Sequence, residues 1–227
     1  MVYNFGIYEK GKYQAKLNGK HTKPYLVWHS MISRCYNPNY HGASAYEEVT
    51  VCEEWRYFQN FAEWFDKNYY EIDGEVVLLE KDFKTFAYGL DKNYSPNNCM
   101  FLPQSFNKML VFQHSVTKDL PVGVKETLNN RYSVSLEFKD CKNHAKNFKT
   151  KEEAYDWYLK EVYNHIIQKV KKYEDKIPKE NIDVIYDFIK NDCLKEMHKM
   201  QKVKAEYERE KLCVNIAKKI DQQSLVI

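Results

Sequence analysis

The sequence predicts an α+β protein: a small strand-and-helix unit, a three-stranded sheet backed by one helix, and a helical C-terminal extension. Three observations carry this. The apolar runs Val76-Val77-Leu78-Leu79 and Cys99-Met100-Phe101-Leu102 read as strands. The spacing of Trp55, Phe58, Phe61, Trp64 and Phe65 is helical and makes one helix face aromatic. Beyond Pro178 the pattern is helical almost to the end, with Ile182, Ile185, Tyr186 and Ile189 as one stripe.

The elements follow in order. Residues 1–24 read as an N-terminal hairpin, with strands at Gly6-Ile7-Tyr8 and at Lys12 to Leu17 and with Gly11 and Gly19 near turns. Its basic face either meets nucleic acid or caps the next unit. Residues 25–113 form the strand-and-helix unit, with helices near Leu26 to Cys35 and Tyr57 to Asn68. The aromatic face of the second helix suits core packing. Base stacking would require a basic groove, and the neighbouring Glu47-Glu48 and Glu53-Glu54 argue against one.

In the second half of this unit, Val76 to Leu79 delivers Glu80-Lys81-Asp82 to the end of a strand. Tyr94-Ser95-Pro96 reads as an extended segment turning at proline, because Pro fixes its own φ and keeps Ser95 out of the helical region. Pro103 suits the first turn of a helix from about Gln104, which sets Asn107 one turn in, nine residues after Asn98.

Residues His114 to Asp119 read as a linker, and residues 120–172 as the sheet and its helix. Strand candidates are Val122-Gly123-Val124, Tyr132 to Leu136 and Ala145 to Phe148. The helix starts with Thr150 as cap and Glu153 three residues later, the capping-box pattern. Residues 173–227 are the C-terminal helices, where Cys193, Met200, Val203, Tyr207, Val214 and Ala217 make a rough heptad seam broken by Glu196 and Glu210. Such a helix either packs on its own domain or pairs with a partner protein or a second copy of the chain.

Two resemblances give these pieces a functional expectation. Trp28-His29-Ser30-Met31-Ile32-Ser33-Arg34-Cys35-Tyr36-Asn37-Pro38, Val51-Cys52-Glu53-Glu54-Trp55, Lys81-Asp82 and Tyr94-Ser95-Pro96 with Asn98-Cys99 occur in an order that resembles the phage-encoded HNH homing-endonuclease-like proteins, from about Tyr25 to Leu110. The resemblance implies a ββα-metal unit that holds one Mg²⁺ or Mn²⁺ between a hairpin and a helix. Glu80 would be the carboxylate ligand, with Asp82 the alternative, Asn107 the ligand on the helix, and Asn98 the residue that pins the loop. Lys81 stands where the family has the His that acts as general base. A lysine with an ordinary pKa near 10.4 is mostly protonated at neutral pH and suits a phosphate contact better than proton abstraction. His114, which follows the Asn107 helix, is the candidate to take the base's place; His29 and His41 read as surface or hydrogen-bonded imidazoles.

The second resemblance covers Leu120-Pro121-Val122-Gly123-Val124, Arg131-Tyr132-Ser133-Val134, Phe148-Lys149-Thr150 and Glu152 to Tyr158, which look like an apetala-type DNA-binding domain. It implies three strands lying across duplex DNA with a supporting helix behind. Lys125, Arg131, Lys142 and Lys146 are the candidate DNA contacts, the alternative being solvated surface charges; Lys146 stands where that family usually has a glycine. The functions this implies are a phage nuclease that nicks duplex DNA, a catalytically degenerate relative that binds DNA, or a scaffold that inhibits a host defence enzyme.

Composition is compatible with these readings. The net charge is +3, from 35 basic and 32 acidic residues, so no single sign dominates the whole surface. Up to Leu110 there are 12 basic and 13 acidic residues, against 23 and 19 afterwards, which puts the basic surplus in the second half. Six cysteines without a Cys-x-x-Cys pair, and no secretory signal pattern after Met1, lead us to expect reduced thiols in a cytoplasmic protein of the infected host. No apolar run approaches the roughly 20 residues that cross a bilayer.

Overall fold

The computed structural model describes residues 1–41, 46–110, 120–137, 144–203 and 205–206. His114, Lys142, Cys141, Cys213 and the seam positions Tyr207, Val214 and Ala217 lie outside the described residues. The chain forms two units, residues 1–107 with 172–191, and residues 108–171 with those from 192 on.

In the first unit, α1 (Lys23–Tyr36) carries Pro24 in its first turn, where the missing amide costs nothing, and buries Trp28, Met31 and Ile32. The short α2 (Glu53–Arg56) and α3 (Phe58–Asn68) supply Trp55, Phe58 and Phe61, all fully buried. The Trp28 indole donates to the Trp55 carbonyl at 2.7 Å, so the polar edge of a buried ring is satisfied. The aromatic stripe is core, as expected from its spacing.

The N-terminal hairpin differs from expectation. Its strands are β1 (Lys16–Leu17) and β2 (Lys20–His21), antiparallel around Asn18 and Gly19, whose φ values of 50° and 78° are those of a tight two-residue hairpin turn. Residues 6–8 do not pair with residues 12–17. Ile7 instead donates to the Arg56 carbonyl at 2.8 Å and accepts from the Phe58 amide at 3.0 Å, which fixes this stretch to the α2–α3 junction.

The rest of this unit comprises β3 (Thr50–Val51), β4 (Val77–Glu80), α4 (Asp82–Tyr88), β5 (Asn93–Tyr94), β6 (Met100–Pro103) and α5 (Gln104–Leu110). β4 pairs antiparallel with β6, from Val77 opposite Pro103 to Glu80 opposite Met100, and β3 pairs parallel with β5. Along the chain β4, β6 and α5 occur in that order, with α4 and β5 between the two strands. α4 ends at Gly89, in the left-handed conformation at φ 62°.

Helix α7 (Lys179–Lys190), which follows α6 (Lys151–Tyr173) in the chain, packs on α4. Phe83 and Phe188 have ring centroids 4.7 Å apart, and Asn181 donates to the Phe101 carbonyl at 3.1 Å. The buried face of α7 is Asn181, Val184, Ile185 and Phe188; Tyr186, expected in the stripe, is 41% exposed. An apolar periodicity count passes over Asn181, the residue whose hydrogen bond fixes the rotation of the helix.

The second unit contains β7 (Val124–Thr127), β8 (Arg131–Leu136) and β9 (His144–Phe148), an antiparallel sheet in the order β7-β8-β9, with α6 (Lys151–Tyr173) and the helical residues 193–203, α8. The Thr150 hydroxyl accepts the Glu153 amide at 3.2 Å and caps α6. Ala154, Tyr158, Val162, Ile166 and Val170 recur at four-residue steps and are buried. Gly123 has φ +78°, and a Cβ there would meet the Tyr158 ring at 2.2 Å, so sheet and helix approach too closely for any side chain. The helical pattern expected to run on from Pro178 is interrupted between α7 and α8 by Asp192 at φ 51°.

Candidate nucleic-acid interface

The residues at the end of β4 come together as the strand leads directly into α4. Glu80 is 3% exposed, and its two carboxylate oxygens accept the Asp82 and Phe83 amides, each at 3.0 Å. These are among the first amides of α4, which have no partner inside the helix, so Glu80 acts as the cap. Burial, then the nearby Asp82 charge, push the Glu80 carboxyl up to about 7. Lys81 is 9% exposed and donates to Asp82. Burial lowers the Lys81 pKa, but the Asp82 charge and hydrogen bond outweigh it, and the net direction is up. A lysine held in that way remains protonated and is a poor base.

Asn98, 6% exposed, donates to the Asp91 carbonyl at 2.7 Å and to Asn93 Oδ1 at 2.9 Å, tying the loop between α4 and β6 to itself. Arg34, which sequence reasoning did not single out as a site residue, donates to the Tyr94 hydroxyl at 3.0 Å and lies 5.5 Å from the ring centroid. Lys81 Nζ lies 5.9 Å from the centroid of the same ring. The only signal for Arg34 was its place in the Ser33-Arg34-Cys35 block, since no spacing rule joins α1 to β5. Asn107 lies half-buried in α5.

As arranged, these groups are committed to the protein. Both Glu80 oxygens accept helix amides and Asp82 Oδ1 accepts from Lys81 Nζ, so each carboxylate already has protein partners. Among the described residues, no three His, Cys, Asp or Glu side chains gather as a metal site. Burial raises the pKa of the Cys35 and Cys193 thiols to about 11, which makes both weak nucleophiles.

The sheet presents a different chemistry. Register sets Val124 opposite Val134, and Lys146 opposite Val134 on the other side, so these three share a face. Val134 is fully buried, His144 on this face lies 3.4 Å from Glu161 of α6, and the Phe148 ring packs on Trp157. This is the helix side of the sheet. Alternation then assigns Lys125, Thr127, Arg131, Ser133, Ser135, Ala145 and Asn147 to the outer face.

Lys125 and Arg131 are exposed there, whereas Lys146, exposed at the sheet edge, belongs to the opposite face, with its ammonium 5.5 Å from the Phe148 ring centroid. The sheet thus unites Lys125 with Arg131 and separates Lys146 from them. Among its strand positions the outer face has two cations, four hydrogen-bonding side chains and no acidic residue.

No family model, curated protein or solved structure matches the chain. Among the described residues, no helix is long and apolar enough to cross a membrane.

Proposed function

We propose that this chain is a duplex-DNA-binding protein that contacts DNA through the outer face of β7-β8-β9, on a scaffold resembling phage HNH homing endonucleases, without hydrolysing it. The observation that carries the reading is the composition of that face: Lys125 and Arg131 beside Thr127, Ser133, Ser135 and Asn147, with no carboxylate among its described strand positions. Cations supply attraction to phosphate, and short hydroxyl and amide side chains supply donors and acceptors for phosphate oxygens or base edges. A two-stranded β-ribbon is also a shape that the major groove admits.

The arrangement of Glu80 supports binding without cleavage. Its carboxyl serves the α4 amides, and the residue beside it is a lysine held protonated by Asp82.

A gel shift with duplex DNA in EDTA, run beside supercoiled plasmid in Mg²⁺ or Mn²⁺, tests both halves. The expected result is a shifted duplex in EDTA and an intact plasmid in either metal. Absence of any shift at low salt overturns DNA binding. Metal-dependent nicking that Asn107→Ala abolishes would replace the binding reading with the nuclease one.

A further inference from the structure

Separate from the sheet, the first unit contains an open groove of about 630 Å³, lined among others by Tyr8, Lys10, Tyr13, Lys16, His21 and Tyr25. That volume is within the range of small-ligand sites. Its walls are fixed by a few bonds. Gln59 reaches from α3 to hold the rim loop, donating to the Glu9 and Tyr13 carbonyls at 3.0 and 2.8 Å and accepting the Tyr13 amide at 3.0 Å. Gly11 passes so close to Gln59 that a Cβ would lie 2.6 Å from it. The Thr22 hydroxyl donates to the Gln14 carbonyl at 2.8 Å and secures the other rim.

The lining combines rings and cations. Lys16 and His21 are cross-strand partners and so project from one face of the β1-β2 hairpin. The His21 ring stacks on Tyr25 with centroids 4.8 Å apart and planes 12° from parallel, and Tyr25 meets Tyr8 edge-on at 6.2 Å. Tyr8 is 43% exposed. Residues 1–25 hold five lysines and a single acidic residue, Glu9. Lys12 is engaged with the Tyr13 hydroxyl and Lys23 with Glu71, whereas Lys10 and Lys16 have no ion pair among the described residues.

We propose that this groove binds a single strand of nucleic acid, with unpaired bases against Tyr8 and the His21–Tyr25 stack and phosphates at Lys10 and Lys16. Aromatic platforms beside a cationic track suit unpaired bases, whose faces are free to stack; in a duplex those faces are already occupied. An acidic peptide would satisfy the lysines but leave the rings unmatched.

The test is fluorescence anisotropy with the full chain in EDTA, using a labelled strand of roughly eight nucleotides, as DNA and as RNA, and an oligo-glutamate peptide. We expect at least one strand to bind, and the preferred sugar then identifies the source. Tyr8→Ala should weaken it at least about fivefold. Lys16→Ala should flatten the plot of log affinity against log salt by about 0.7. Tyr8 touches neighbouring rings, so its variant is checked by far-UV circular dichroism; Lys16 is exposed and its variant does not depend on that control. Oligo-glutamate bound as tightly as the strand, or strand binding unchanged in both variants, overturns the proposal.

Discussion

Replacing Glu80 tests whether its carboxyl caps α4 or awaits a ligand. In Glu80→Ala, the Asp82 and Phe83 amides lose acceptors at 3.0 Å within a buried first turn. An orphaned buried amide costs about 1–3 kcal/mol, and loss of a helix cap about 0.5–2 kcal/mol. Part of this is offset, because the carboxyl is itself costly to bury, as its pKa of about 7 records. We therefore expect a net loss of about 2–3 kcal/mol for Glu80→Ala, and about 1 kcal/mol for Glu80→Gln, which keeps one good acceptor.

Urea denaturation in EDTA reads this through Trp28, Trp55 and Trp64, all in the first unit, in a Trp157→Phe background that silences the second. The raised carboxyl pKa also fixes a pH sign. Between its ordinary 4.5 and about 7 the folded state holds the proton more tightly, so this contribution is present below pH 4.5 and is lost as pH rises through 7. A Glu80→Gln protein as stable as the parent in EDTA, with Mg²⁺ stabilising the parent alone, would refute the cap and assign the carboxylate to a metal.

Three further outcomes follow from the geometry. Gly123→Ala places a Cβ 2.2 Å from the Tyr158 ring at a φ of +78°, and should cost about 2–5 kcal/mol of the second unit's stability, read from Trp157 fluorescence in denaturant. His198, buried with Tyr155 bonded to its Nδ1 at 2.7 Å, has its pKa pulled down by burial to about 4. Its contribution is therefore present above pH 6.5 and is lost as pH falls toward 4, by up to about 3 kcal/mol; its ring proton shifts should remain those of neutral imidazole at pH 5.5. Asn98→Ala removes bonds of 2.7 and 2.9 Å from the loop after α4 and should cost about 2 kcal/mol, with faster hydrogen exchange confined to residues 91–99.

Much of the architecture was legible because it is local. The helical spacing of Trp55, Phe58 and Phe61 marked core, and Thr150 with Glu153 marked the start of α6, since both depend on residues one turn apart. What failed depends on pairing between distant segments. Strands at residues 6–8 and 12–17 were expected to form a hairpin, but Ile7 has a better-placed partner in Arg56 and Phe58. The seven-residue α4 is too short to show a period, so the helical nature of the segment between β4 and β6 was not visible, and with it the capping role of Glu80. Lys146 looked equivalent to Lys125 and Arg131 as a basic strand residue. A single register step decides its face, and that register became evident only in the pairing with Val134.

The most direct measurement of the central claim is duplex-DNA affinity as a function of salt, in EDTA, for the parent and for the double variant Lys125→Ala/Arg131→Ala. Tight binding is expected at low salt, with a log–log slope that falls by about 1.8 in the variant, from two lost phosphate contacts. Binding with an unchanged slope, or no duplex binding by the parent at low salt, would contradict it.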